Sequence, residues 1–162
     1  MAPAEEFIKI GFKAEALAAK ETPRNMMSSY TLKNALTGDL ADQQIDFSKV
    51  LFSKGSMPET PGVKTVLNND VLEFTWDPKI SSSLFHTNDQ VMVLAYFPTA
   101  QEAEYALYAG NRAKGAATFA LIKQEQEMVM ETYITFISPD HKRVCNSIYC
   151  GQFILPAEEL ID

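Results

Sequence analysis

The chain has 162 residues, of which 46% are hydrophobic and 22% charged, and its formal net charge at pH 7 is -7. A chain of this length and composition is typical of one globular domain that needs no metal or disulfide scaffold, which excludes the collagen-like, disordered and disulfide-stapled classes. Nucleic acid is not an expected partner, because such affinity comes mainly from clusters of Lys and Arg that neutralise phosphates, and the chain has no basic cluster.

The negative charge is concentrated in the C-terminal part of the chain. Residues 1–57 carry seven Lys or Arg and seven Asp or Glu, whereas residues 58–162 carry seven and fourteen. This asymmetry divides the chain into a neutral N-terminal part and an acidic remainder.

The N-terminal residues give no targeting signal. Charged residues interrupt the apolar residues there: Glu5, Glu6, Lys9 and Lys13. We therefore expect no signal peptide, and no window reaches the roughly 18 apolar residues of a membrane span.

The two cysteines lie five residues apart, at 145 and 150, in a strand-like stretch. An extended chain separates them by roughly 16 Å, whereas a disulfide needs Cα atoms within about 7 Å, so both are predicted to be free thiols. A cytoplasmic or particle-associated location follows as the expectation.

Two short helices are predicted before residue 38. Pro3 with two following glutamates favours the first start, and Thr22 with Pro23 favours the second as a cap followed by proline at the first helical position. Gly38 predicts the end of the second helix. Their apolar stripes are too small for independent stability, so the helices are expected to pack on the rest of the chain.

The hydrophobic pattern changes to that of strands from Ile45 onward. The first run covers Ile45 to Phe52, and the clearest run alternates buried-type Leu72, Phe74 and Trp76 with polar neighbours. Residues 90–97 are apolar on both faces and are expected to be covered on both. About seven to eight short strands with turns every 8 to 12 residues predict a mainly β protein, an immunoglobulin or fibronectin III-like antiparallel sandwich.

We therefore predict a helical segment over residues 1–44 that packs on the sandwich, the sandwich domain over 45–156, and a C-terminal tail over 157–162. Residues 72–78 (LEFTWDP) resemble the second strand of a fibronectin type III domain, in which a buried Trp ends an alternating run. Residues 131–136 (ETYITF) resemble its sixth strand. That resemblance implies that Tyr133 forms a tyrosine corner by bonding to nearby backbone.

A second resemblance covers nearly the whole chain. Residues 30–38 (YTLKNALTG), residues 45–56 (IDFSKVLFSKGS), and the stretch from Phe136 to Tyr149 resemble the bacterial family called domain of unknown function 6266, in order and spacing. The resemblance implies a fold and no catalytic residues. The Gly-rich N-terminal segment usual in that family is absent here, so an uncovered apolar surface is expected near the N-terminus.

Residue types that carry catalysis are sparse. His86 and His141 lie in turn-forming sequence, and neither belongs to a pattern expected of a hydrolytic triad or a zinc site. Glu102 and Glu104 are two apart on one strand and indicate a solvated face more than a pair of glycosidase carboxylates. We therefore expect no enzyme activity, no cofactor and no catalytic residues.

A calcium site is the other chemistry considered. Asp39, Asp42 and Asp46 lie within eight residues, but they lack the spacing and closing Glu of an EF-hand loop. No metal site is predicted.

Aromatic residues offer the best candidates for an interaction surface: Phe7, Phe12, Tyr96, Tyr105 and Tyr108. Such side chains can form the centre of a protein interface or stack on a sugar, and they can equally belong to the core. The leading hypothesis is a non-enzymatic structural or protein-interaction module, with a protein partner or self-association. Assembly or decoration of a phage or phage-like particle is its finer form, by analogy of fold. The alternative is a carbohydrate-binding module using the aromatics between Tyr96 and Tyr108.

Overall fold

The computed structural model describes residues 4–160. Pro3, the predicted opening of the first helix, and the last two residues of the predicted tail lie outside that range. The helices are α1 (Glu5–Gly11), α2 (Lys13–Ala19) and α3 (Pro23–Asn34). A short hairpin, β1 (Leu36–Thr37) with β2 (Gln44–Ile45), follows them. The remaining strands are β3 (Lys64–Asn68), β4 (Val71–Thr75), β5 (Gln90–Phe97), β6 (Glu102–Ala106), β7 (Ala116–Ala120), β8 (Met128–Ile137) and β9 (Ile148–Leu155).

Seven antiparallel strands form two sheets, in the orders β3-β4-β7 and β6-β5-β8-β9. This is the strand order of a fibronectin III-like sandwich, so the predicted fold class is confirmed. Among the described residues, three helices precede the sandwich where two were predicted, because the first predicted segment divides at Phe12, and the last helix ends at Asn34, before Gly38. The predicted turn after β3 is a two-residue hairpin in which Asn69 has φ of 58°, a left-handed conformation that Asn tolerates. No helix within residues 4–160 has the length and apolar character to cross a membrane.

The sandwich core lies between the two sheets. Leu72 and Phe74 on β4, and Trp76 just after it, are buried, which confirms the predicted alternation. The Trp76 ring meets the Phe136 ring edge to face at 5.3 Å, and its indole Nε1 donates a hydrogen bond of 2.9 Å to the Arg112 carbonyl.

A second core covers the outer face of the four-stranded sheet. Met92 and Leu94 of β5 are buried there against N-terminal residues that include Phe7 and Phe12, while the opposite face of β5 enters the sandwich core. The expectation that this strand is covered on both faces is therefore confirmed. Gly11, at the end of α1, lies against the backbone of Phe52 and Ser53. A glycine is required there, because a Cβ would overlap the Phe52 carbonyl oxygen and the Ser53 side chain.

Residues 46–62, which we call the strap, cover this second core with the segment from Phe47 to Phe52 and then reach the sandwich core at Met57. The strand predicted from Ile45 to Phe52 is wrong beyond Ile45, because the chain enters a 3-10 turn at Phe47–Lys49 and residues 50–56 pair with no strand; only Met57 then forms a single parallel bridge, with Cys145. Single hydrogen bonds to residues far along the chain hold its backbone instead. The Phe52 amide donates to Ser147 Oγ at 2.9 Å, and the Met57 amide donates to the Val144 carbonyl at 3.1 Å.

The predicted tyrosine corner is also wrong. The Tyr133 hydroxyl donates a 2.6 Å hydrogen bond to the carbonyl of Phe47, 86 residues upstream. Alternation along β8 explains this: Ile134 and Phe136 face the sandwich core, so Tyr133 faces the second core and the strap. Burial raises the pKa of the Tyr133 hydroxyl, so it remains protonated and able to donate.

Candidate functional site

Helix α3 is the least covered regular element of the N-terminal layer. It begins with a cap, in which Thr22 Oγ1 accepts from the Asn25 amide at 3.2 Å, and with Pro23 at its first position. It packs on α1 and α2, yet none of its 12 residues is buried. Leu32 is 65% exposed. A face of this helix is therefore available to a further partner.

An apolar groove lies between α3 and the strap, with a volume of about 360 Å³. Its apolar lining comprises Ile8, Met27, Leu32, Ile45, Phe47, Val50, Phe52 and Tyr96, and its polar lining comprises Arg24, Ser28 and Thr31. The Tyr96 ring lies 5.8 Å from that of Phe47, and burial raises the pKa of its hydroxyl. The groove is thus walled by side chains from the helices, the strap and the outer face of β5.

The five aromatic candidates do not form one surface. Phe7 and Phe12 are fully buried and attach the first helix to the sheet. Tyr105 is half-buried, with its ring 6.2 Å from that of Phe7, and Tyr96 lines the groove. Tyr108 is 59% exposed in the chain after β6. The structure therefore brings Phe7 and Tyr105 together, and leaves Tyr108 on a different part of the surface from the groove.

A more polar cavity of about 500 Å³ lies on the other side of α3. Tyr30, Lys49, Glu59 and Asn146 contribute polar groups to it, together with Tyr149. The Tyr149 hydroxyl donates to Glu131 Oε2 at 2.5 Å; desolvation and then this carboxylate raise the pKa of Tyr149. Helix α3 is therefore bordered by a cavity on each side, which accounts for its incomplete burial.

The acidic candidates have structural roles. Asp46 caps the 3-10 turn, where its Oδ1 accepts from the Ser48 amide and hydroxyl at 3.1 and 2.6 Å, and these bonds lower the pKa of its carboxyl group. Glu104 accepts from the Ile122 amide at 3.1 Å, and burial raises the pKa of this carboxyl group. Within residues 4–160 no three His, Cys, Asp or Glu side chains come together as a metal site would require.

The histidines are also apart from any such cluster. His86 is exposed, and His141 is half-buried in a turn with φ of 61°. Both cysteines are free thiols, as predicted, with Cys145 buried and Cys150 partly so.

Sequence reasoning missed a buried ion pair. Arg112 and Asp89 are both fully buried, and the Arg112 Nε donates to Asp89 Oδ2 at 2.9 Å. The guanidinium carbon lies 3.9 Å from the Phe85 ring centroid and 4.7 Å from that of Phe136, and Nη1 donates to Thr60 Oγ1 at 2.6 Å. The arrangement joins the strap to the end of the sandwich. In the sequence, this ion pair shows only as two charged residues beside turn-forming residues, a pattern that is typical of exposed loops.

Comparison with known proteins gives a family and similar solved structures. The fn3 domain of human collagen alpha-1(XX) chain is similar to this chain at 12% identity, with a TM-score of 0.39, over 68% of this chain and 93% of that domain. A search of curated proteins gave no match. The family of unknown function DUF6266 matches residues 1–151. The chain therefore belongs to the DUF6266 family.

Proposed function

We propose that this protein is a non-enzymatic interaction module that associates with a second copy of itself through its helices. The surface is the helical patch, defined as the exposed faces of α2 and α3 with Leu17 and Leu32. The observation that carries the proposal is the 12-residue α3 without one buried residue. A helix of that length is marginal alone in water and gains its stability from packing, so a partner on its open face would complete its burial.

The distribution of charge favours a second copy as the partner. Residues 4–35 carry five Lys or Arg and four Asp or Glu, whereas residues 63–160 carry seven and twelve. Two sandwiches brought together would repel each other, because each has a clear excess of negative charge. Two helical layers would meet with nearly balanced charge, and Leu17 and Leu32, 71% and 65% exposed, would supply apolar contact.

The non-enzymatic part of the proposal is supported by where the reactive side chains lie. His86 is exposed in a turn, Asp46 caps a 3-10 turn, and Glu104 holds the backbone of Ile122. Each has a structural role or an isolated position, whereas a catalytic site needs several such groups within hydrogen-bond reach of one another.

Particle assembly, including a phage or phage-like particle, is the finer form of this hypothesis. A contact between two identical helical patches closes as a dimer with two-fold symmetry, whereas growth into a ring or filament requires two different surfaces that fit each other. A decoration or assembly role therefore predicts species larger than the dimer.

The carbohydrate alternative has less support, because Tyr96 and Tyr105 pack against other aromatic rings and Tyr108 is apart from them.

Light scattering coupled to gel filtration tests the proposal across a wide range of protein concentration. We expect the chain to associate, and L17E and L32E to shift it toward the monomer while circular dichroism remains unchanged. The matched control is I122E, which places the same charge on a sandwich residue that is 69% exposed. A monomer at every concentration, or equal loss of association in I122E, would overturn the assignment.

A further inference from the structure

We propose that the groove between α3 and the strap binds a single-chain fatty acid, with the hydrocarbon tail in the groove and the carboxylate at Arg24. This goes beyond self-association and does not depend on it. Leu32 belongs to both the helical patch and the groove lining, whereas Leu17 lies outside the lining, so the two surfaces can be tested separately through Leu17.

The tail is matched by the composition of the walls. The lining contains aliphatic side chains such as Met27 and Val50 and the rings of Phe47 and Phe52. Contact between such a surface and a hydrocarbon tail is favourable, because both apolar surfaces are removed from water. Cavities of about 300 to 1,000 Å³ with mainly apolar walls and a few polar groups are typical of small-molecule sites, and this groove falls at the lower end of that range.

The headgroup is selected by charge. Among the described residues Arg24 is the one charged side chain that lines the groove, and no acidic side chain of residues 4–160 lies within 4 Å of its guanidinium. A guanidinium holds a carboxylate in a fork of two hydrogen bonds. The hydroxyl of Ser28, one helical turn further on, lines the same groove and can add a donor.

The small number of hydrogen-bonding side chains in the groove favours a lipid chain over a peptide. An inserted peptide segment would bring amide groups that need partners, and burying an amide without one is unfavourable. Besides Arg24, which the carboxylate would occupy, the lining side chains offer few partners: Thr31 Oγ1 already donates to the Met27 carbonyl at 2.9 Å, which leaves the hydroxyls of Ser28 and Tyr96. A hydrocarbon chain has no amide groups and needs no hydrogen-bond partners in the groove.

The volume sets the length of the tail. A water molecule occupies about 30 Å³ of liquid and a methylene group is of similar size, so about 360 Å³ holds a chain on the order of 8 to 12 carbons. Affinity should rise about fourfold with each added methylene up to that length and then level off, because longer tails extend into water.

Calorimetric titration with saturated fatty acids of increasing length tests the site, with the methyl ester of each acid as the neutral comparison. We expect the length dependence just given and weaker binding of the esters. R24Q should bind acid and ester alike, whereas K20Q, which removes a cation outside the groove, should keep the preference for the acid. S28W should abolish binding by filling the groove, whereas S29W, at the next exposed position outside the lining, should retain it.

Each variant is first checked by thermal unfolding, and the titrations are repeated with L17E, which we expect to be monomeric. Binding that persists in L17E while association is lost separates this site from the proposed function. Absence of binding by every acid to the folded chain, equal binding to S28W and S29W, or an unchanged acid preference in R24Q would overturn the proposal.

Discussion

The Asp89 carboxylate accepts a 2.9 Å hydrogen bond from the Arg112 guanidinium at a place where both side chains are fully buried. The same carboxylate oxygen accepts from the His86 amide at 2.9 Å, and Arg112 reaches the strap through Thr60. Taking two charges out of water is costly, and the mutual attraction together with added hydrogen bonds offsets that cost. The pair therefore fixes the end of the sandwich to the strap.

Breaking this pair should be strongly destabilising. D89N removes the negative charge and leaves a buried guanidinium without its counter-charge, so the free energy of unfolding should fall by about 3–5 kcal/mol. Urea unfolding followed by tryptophan fluorescence measures this, since Trp76 donates to the Arg112 carbonyl. The exposed pair of Lys9 and Glu6 provides the control, and E6Q should change stability by less than about 0.5 kcal/mol. A small effect of D89N would contradict the role assigned to the pair.

Removing the Tyr133 hydroxyl should weaken the attachment of the strap. Y133F removes the 2.6 Å donor to the Phe47 carbonyl and leaves that carbonyl only the Val50 amide at 3.3 Å, and the loss of one such bond costs about 0.5–1.5 kcal/mol of stability. Chemical denaturation gives the stability change, and amide exchange should show faster opening of the strap than of β4. Exchange that accelerates equally in both places would indicate that the hydroxyl does not act on the strap in particular.

A methyl group at Gly11 should not fit. The Cβ of G11A would overlap the Phe52 carbonyl oxygen and Ser53, so backbone must move, and overpacking of this kind costs about 1–3 kcal/mol. Helix propensity acts in the opposite direction, since Ala is favoured over Gly by roughly 1 kcal/mol in a helix interior. Thermal unfolding of G11A therefore has a clear sign: a lower midpoint supports the close approach of α1 and the strap, and a higher midpoint rules it out.

Thiol reactivity should separate the two cysteines. Burial raises the pKa of Cys150 to about 11 and raises that of the fully buried Cys145 as well. Because the thiolate is the nucleophile, Cys150 near pH 8 should carry about 100-fold less thiolate than an ordinary cysteine and should gain reactivity as the pH approaches 11. Alkylation followed by mass spectrometry should label Cys150 before Cys145 in the native chain. Rapid labelling of both near neutral pH would contradict the packing described.

The sandwich was predictable because its signals are local. Leu72, Phe74 and Trp76 alternate with polar residues within one strand, and a period of two in hydrophobicity directly indicates which face is buried. The two-sided apolar pattern of β5 similarly required cover on both faces, and the structure supplies it from the sandwich core and from the N-terminal layer.

The strap and the site depend on long-range contacts that leave little local signal. The run from Ile45 to Phe52 has the composition of a strand, but its backbone partners come from distant residues such as Ser147, so no ladder forms. Tyr133 fits a tyrosine corner by position, yet its hydroxyl meets Phe47 because β8 presents it to the strap. Phe7 and Phe12 are similarly buried by the sheet, a contact that helical periodicity alone does not specify.

Amide hydrogen exchange of α3 at low and high protein concentration shows whether the helical patch is the surface of self-association. A second copy that covers α3 should slow exchange in Pro23–Asn34 as the concentration rises, while exchange in Lys64–Asn68 at the sandwich edge stays constant. Exchange in α3 that is independent of concentration, or protection that increases in the sandwich strand instead, would contradict the account.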